Sequence, residues 1–413
     1  MNTRMLLLAC TMLVSLVLPG CWDYAEYEDF VQIIGMGMDY NNETQEITLT
    51  ILYQPTEGKS SSQPSSATKS GGQQITHSAT DKTFIGAATR LQEVVHKKLF
   101  YGYVKTVVIS EEAAKYNMMD AIDLFDRSPS IHSSAYLAIT SGKAADVIKT
   151  IDPYQTISSA EKIHDLIYFA PNTGLAYVVT INTFKEMLAI GGWEATVPHI
   201  IAIAAKSQKE ETKSSIHEQL MLNEERTGAH RVSGLAAFKG DKFVGWLDEK
   251  ESRGFSWITG KKIQYYTVSE PSSVGGTDEI LYYAVTDSNN KINVQMENVT
   301  PVIYVDVKAT AVLRKFSRDK SSEFLSLEEI SIAEQKLADH IRSDVDAALN
   351  KGQKELQSDI FGFGFAVFRE SPPLWKNEYE AKWTDIFPDI PVHITIDVSI
   401  PNTGTNIKRL LIK

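Results

Sequence analysis

Cysteine is almost absent from this sequence: the 413 residues contain two, Cys10 and Cys21, both near the amino terminus. The body of the chain therefore carries no disulfide framework and no thiolate metal site, and packing alone must hold it. Histidine is sparse as well, and no two of the nine stand at the i, i+4 spacing with which a helix chelates zinc. No Gly-x-Ser-x-Gly elbow occurs, which leaves a hydrolase without support. Positive charge is in deficit, 41 Lys and Arg against 52 Asp and Glu for a net charge of -11. The bulk field repels phosphate backbones, so nucleic acid is excluded as a partner. Past the first 20 residues no segment approaches the ~20 consecutive apolar residues of a membrane helix. Thr196 to Ala205 is apolar for only ten residues and contains Pro198 and His199.

Fragments of catalytic motifs fail on their spacing. Gly254 to Lys262, GFSWITGKK, has five residues between its glycines where a phosphate loop has four, and Lys262 where Ser or Thr holds magnesium. Gly35-Met36-Gly37 and Gly362-Phe363-Gly364 lack the third glycine of a dinucleotide fingerprint and read as turns. Asp287 to Asn290 lacks the glycine and terminal glutamate of a calcium loop and reads as a hairpin turn. Asp120 and Asp123 read as the solvated face of a helix. No catalytic, cofactor-binding or metal-binding residue is predicted.

What the chain does have is an ordinary globular balance, with 43% hydrophobic and 23% charged residues, and length for two or three domains at one per ~150 residues. Residues 1–20 place one Arg at position 4 before an apolar run, Met5 to Leu18, that is too short to span a bilayer, as in a secretion signal. Leu18-Pro19-Gly20-Cys21 resembles the bacterial lipobox, Pro19 being its unusual member. Cleavage between Gly20 and Cys21 leaves Cys21 to carry S-diacylglycerol and an N-acyl chain, an anchor worth ~0.8 kcal/mol per buried methylene.

Hydropathy patterning predicts an α+β protein of three domains after the signal peptide. The first, 21–205, alternates strands and helices: a strand at Ile47 to Tyr53, helices at Thr83 to Lys98, Ala113 to Phe125, Ser158 to Phe169 and Asn182 to Ala189, and strands at Val104 to Ile109, Ala135 to Thr140 and Val197 to Ala204. A Ser-, Gly- and Gln-rich stretch, 56–74, is expected as a mobile loop within it. The charged break 206–213 opens a strand-rich middle domain, 206–300, whose Gly234 to Leu247 is a hairpin around Lys239 to Lys242. The third, 301–413, carries a long alternating strand, Pro301 to Phe316, then a long helix, 326–359, and a closing strand, Val392 to Ile400. Phe361, Phe363 and Phe365 are expected to bury one face of a strand or turn, and Trp375, Trp383 and Phe387 to lie in a core.

Cys21-Trp22-Asp23 followed by Val31 to Asp39, VQIIGMGMD, resembles the start of the Ger(x)C lipoproteins, the C subunits of bacterial spore germinant receptors. Gly234 to Lys262, and Asp359 to Gly364 with Trp375, Trp383 and Phe387-Pro388 downstream, resemble that family's central and C-terminal blocks. Tyr24 to Tyr27 departs from it, where many members are more basic. The resemblance covers residues 21–413 and implies a three-domain, non-enzymatic α+β lipoprotein on the outer face of the spore's inner membrane. Its implied partners are an A-type subunit, a transporter-like B-type subunit and the bilayer at Cys21. About ten residues separate Cys21 from Val31, at most ~35 Å of chain, which keeps the first domain near the membrane. The competing reading is a solute-binding lipoprotein that captures a small nutrient in an interdomain cleft lined by Trp193, Trp246 and Trp257.

Overall fold

The structure is a computed structural model that describes residues 26–54, 74–127, 131–151, 157–203, 229–261, 263–271, 278–297, 300–316 and 327–402. The signal segment, Gly20, Cys21, all of the expected loop but Gln74, and the 206–213 break lie outside the described residues. The elements confirm an α+β protein with two sheets.

The larger sheet uses β1 (Phe30–Asn41), β2 (Glu46–Tyr53), β3 (Ile75–Asp81), β4 (Lys98–Phe100), β5 (Thr106–Ser110), β6 (Tyr136–Thr140), β7 (Thr196–Ile203), β8 (Ala229–Lys239) and β9 (Lys242–Leu247). Its order is β3-β2-β1-β5-β6-β7-β8-β9, with β4 beside the start of β1. The centre, β1-β5-β6-β7, is parallel, and antiparallel pairs flank it on both sides. All five residues of β5 are buried, as expected of a strand covered on both faces.

Helices α1 (Phe84–Val94), α2 (Glu111–Tyr116), α3 (Met118–Arg127), α4 (Ala144–Lys149), α5 (Ser159–Phe169) and α6 (Ile181–Ala189) connect these strands. Thr83 caps α1, and Ser158 forms a capping box with Glu161 at α5. The helix predicted across Ala113 to Phe125 is two, broken at Asn117, whose φ of -145° and ψ of 23° leave the helical region. Gly35 and Gly37, expected as turns, lie inside β1. A Cβ at Gly35 would stand 2.6 Å from Ala160 Cβ on α5, and one at Gly37 3.1 Å from the Ala144 backbone of α4, so the glycines let two helices lie against the strand. Asp39 at the far end of β1 accepts the N–H groups of Ala144 and Ala145 at 2.7 and 2.9 Å, which supplies the cap that Lys143 cannot.

The second sheet, β10-β11-β12-β13, uses β10 (Tyr265–Pro271), β11 (Asp278–Glu297), β12 (Thr300–Phe316) and β13 (Val392–Asn402). Here the structure corrects a turn: Asp287 to Asn290 does not reverse the chain but continues β11, with a bulge between Val285 and Asp287. Asn290 is held by donating to Ile258 O at 2.6 Å. β11 and β12 pair antiparallel along their length, from Ile280 opposite Phe316 to Glu297 opposite Thr300, and β12 and β13 pair in parallel. Between them runs α8 (Leu327–Leu349), continued by a wider turn, Asn350–Glu355, and burying Ala333, Leu337, Ile341, Val345 and Ala348 along one stripe. A further helix, α7 (Glu249–Thr259), follows β9 and packs across α8.

Candidate functional site

The central block meets the start of the C-terminal block beside Asp359, where Phe238 and Phe255 touch Ser358 and Phe361. Ser358 donates its hydroxyl to Phe238 O at the end of β8, 2.5 Å away, and Asp359 O accepts the N–H of Glu194 at 2.9 Å. Gly362, with φ of 75°, then turns the chain into α9 (Phe363–Glu370). The Asp359 carboxylate reaches back to that helix start, taking the N–H of Phe363 at 3.0 Å on Oδ1 and that of Gly364 at 2.7 Å on Oδ2. Trp383 Nε1 donates to Oδ2 at 2.8 Å. Burial of this 3% exposed group pushes its pKa up to about 6 against the opposing pull of the N–H donors.

Glycine at 364 is a packing requirement, since a Cβ there would stand 2.6 Å from the Trp383 indole and 2.8 Å from Gly192 Cα. Phe365 N donates to Gly192 O at 2.9 Å, and Glu194 accepts the N–H of Gly240 in the β8–β9 turn at 2.6 Å. The expected strand or turn at Phe361, Phe363 and Phe365 is a turn leading into a helix, with Phe361 and Phe363 buried and Phe365 half-buried against Trp193. Trp375, Trp383 and Phe387 are 2%, 5% and 1% exposed, which places them in the core as expected.

A second polar knot ties the central block to the long helix. Asp248 and Glu251 form a capping box at α7, and Gly254 lets α7 approach the backbone of α8 at Asp344. Asp344, buried, accepts from Arg253 Nε at 3.1 Å and from the Tyr266 hydroxyl at 2.8 Å. Burial raises its pKa and the Arg253 guanidinium opposes the rise. Ser256 donates to Gly174 O at 3.0 Å, and Gln264 N to Asn172 O at 2.9 Å, so this region also grips the segment after α5.

The three tryptophans proposed to line a cleft are not brought together. Trp193 faces Gly362 and Phe365, Trp257 is buried beside Tyr266, and Trp246 stacks on His199 at 3.8 Å while donating to Glu111. A depression of about 200 Å³ lined by Ile292, Asn293, Val294, Ala366, Arg369 and Glu370 contains none of them. Asp120 and Asp123 are exposed on α3. Among the described residues no three His, Cys, Asp or Glu side chains gather as a metal site. Gly20 and Cys21 lie outside the described residues.

The sequence marks Asp359, Asp39 and His199 only as members of longer stretches, without their roles, and gives no sign of Asp344. For Asp359 the signal was available: one carboxylate between Ile360 and the Phe-rich run on one side and Ser358 on the other is a charge in an apolar context, which requires donors.

Comparison with known proteins agrees with the architecture. Residues 23–202 match the family model described as the spore germination protein N-terminal domain, and residues 233–404 match "Spore germination B3/ GerAC like, C-terminal". The chain belongs to the Ger(x)C family. Its relatives include spore germination protein KC of Bacillus subtilis (strain 168), 24% identical over 97% of this chain and 96% of that protein. Spore germination protein A3 of the same organism is 21% identical over 96% and 97% of the two chains. The crystal structure of the GerBC protein matches with a TM-score of 0.53 at 17% identity, covering 90% of this chain and 97% of that one, and shows the fold to be shared. The central and C-terminal blocks thus fall within the second model and VQIIGMGMD within the first. In this Ger(x)C protein their described residues work as joints between elements.

Proposed function

We infer that this chain is the C subunit of a nutrient germinant receptor, non-enzymatic, anchored by lipid on Cys21, and acting through contact with an A-type and a transporter-like B-type membrane subunit. The observation that carries the reading is the order of the family's parts behind a lipobox cysteine: the N-terminal model begins at residue 23, two positions past Cys21. Among the described residues no helix is long and apolar enough to cross a membrane, and the reading assigns attachment to the lipid at the outer face of the spore's inner membrane. Joints such as the one at Asp359 fit a subunit that transmits contact as a rigid body.

The test is a Cys21→Ala variant expressed from its own locus in a spore-forming host. Mass spectrometry of the wild-type protein is expected to find a diacylated, N-acylated Cys21 at the amino terminus. The variant is expected to leave the membrane fraction and to slow nutrient-triggered germination. Retention in the membrane with a wild-type germination rate overturns the reading.

A further inference from the structure

At the end of the larger sheet where the parallel strands begin, aromatic side chains collect at the surface. Phe30, the first residue of β1, meets Phe100 of β4 edge-on at 5.8 Å, and Phe100 meets Tyr103 at 5.7 Å. Tyr103 is 52% exposed. Parallel register sets the neighbours: Gly35 of β1 pairs with Thr106 of β5, and Thr106 with Tyr136 of β6, so Tyr136 starts its strand at this same end. His164 of α5 stacks on Tyr136 at 4.2 Å; burial raises the Tyr136 pKa, and Tyr168, one turn on from His164, lies near enough to add to the rise. Tyr168 and Phe169 pack edge-on at 4.9 Å and are 56% and 59% exposed.

Large exposed aromatics grouped at one end of a sheet require an occupant. The chain itself says which one: Phe30 stands nine residues after Cys21, at most ~32 Å of extended backbone, so the strand that emerges from the anchor begins inside this cluster. Tyrosine and phenylalanine with exposed edges suit the layer of headgroups and upper acyl carbons, where an amphipathic ring keeps its polar tip wet. Charge does not drive the contact. Lys98 is exposed beside Phe30, but Glu26, Glu28 and Asp29 precede it and Asp165 sits beside His164.

We propose that Tyr103, Tyr168 and Phe169, with Phe30 and Phe100 behind them, form a second contact with the bilayer interface, which sets the larger sheet with the starts of its parallel strands toward the membrane. The proposal rests on the lipid anchor at Cys21 proposed above. The opposite end of the same sheet then faces away, and Tyr116, 57% exposed and paired with Tyr40 at the far end of β1, marks it.

The experiment uses the full mature chain, lipidated in its bacterial host, purified in detergent and reconstituted into phosphatidylcholine vesicles or vesicles with added phosphatidylglycerol. Acylation of Cys21 leaves a single free thiol in each of three variants, Tyr103→Cys, Tyr168→Cys and Tyr116→Cys, to be labelled with a polarity-sensitive fluorophore. Nitroxide lipids labelled at the headgroup are expected to quench the probes at 103 and 168 several-fold more than the probe at 116, equally in both vesicle types. Equal quenching at all three positions in a protein that floats with the vesicles and carries its lipid overturns the membrane contact and leaves the anchor standing. Absence of lipid on Cys21 by mass spectrometry overturns both. Probes at 103 and 168 that are shielded only when the membrane subunits are added reassign the surface to a protein partner and overturn the bilayer contact.

Discussion

Replacing Asp359 by Asn tests whether burial or hydrogen bonding governs the carboxylate that ties the start of α9 to Trp383. The carboxylate accepts three N–H donors, from Phe363, Gly364 and Trp383, yet burial wins and carries its pKa from an ordinary 3.8 to about 6. A folded pKa above the unfolded one means that the native state binds the proton more tightly. The contribution to stability is therefore complete below about pH 4 and lost as pH rises to 6 and beyond. At 1.36 kcal/mol per pH unit that loss is about 3 kcal/mol by pH 8. The amide of the Asp359→Asn variant resembles the protonated acid at every pH, with its oxygen serving two donors and its nitrogen opposed to the third. That opposition costs the variant about 1 kcal/mol throughout. The expected outcome is a variant about 1 kcal/mol less stable than wild type at pH 4 and about 2 kcal/mol more stable at pH 8. Urea unfolding at intervals between these pH values, followed by tryptophan fluorescence and far-ultraviolet circular dichroism, reads the difference. Other titrating groups, His199 among them, are common to both proteins and cancel. An Asn variant that grows less stable relative to wild type as pH rises would show that the three donors outweigh burial, and the reasoning would be wrong.

Three further perturbations follow from the same contacts. Gly254→Ala drives a Cβ into the backbone of α8 at Asp344 and is expected to cost about 3 kcal/mol or more, read as a shift in the urea midpoint. Tyr266→Phe removes one donor from buried Asp344 and leaves Arg253 in place, with an expected loss of about 2 kcal/mol by the same measurement. Burial pulls the His199 pKa down from 6.5 to about 4, so wild type loses up to about 3 kcal/mol from this group as pH falls between those values. His199→Phe, which keeps a ring against Trp246, is expected to resist that acid loss, and a stability difference from wild type that stays constant between pH 7 and pH 4 would refute it.

Elements whose stabilising signal is local were legible in the sequence. The hairpin around Lys239 to Lys242 carries its own turn, with Gly240 at φ of 58°, and β13 alternates exposed and half-buried residues as its sequence does. The stripe of α8 is visible because one face of a long helix packs against α7 and β13. Misreadings came from residues whose role depends on a distant neighbour. Gly35 and Gly37 read as turns because nothing adjacent shows that Ala160 and Ala144 press against them. Asp287 to Asn290 has turn composition, and only the continuous partner strand β12 and the acceptor at Ile258 hold it extended. The pairing of β7 with β8, and the Trp383 indole that donates to Asp359, also join residues far apart in the chain, beyond the reach of periodicity.

The central claim is that this chain is one subunit of a membrane receptor. Mild crosslinking of intact dormant spores, followed by purification of this protein from the solubilised inner membrane and mass spectrometry of its companions, tests it most directly. The account predicts recovery of an A-type and a transporter-like subunit, with crosslinks from lysines of this chain. Recovery of the protein without either subunit, from spores in which both are detected and crosslinked to each other, would contradict it.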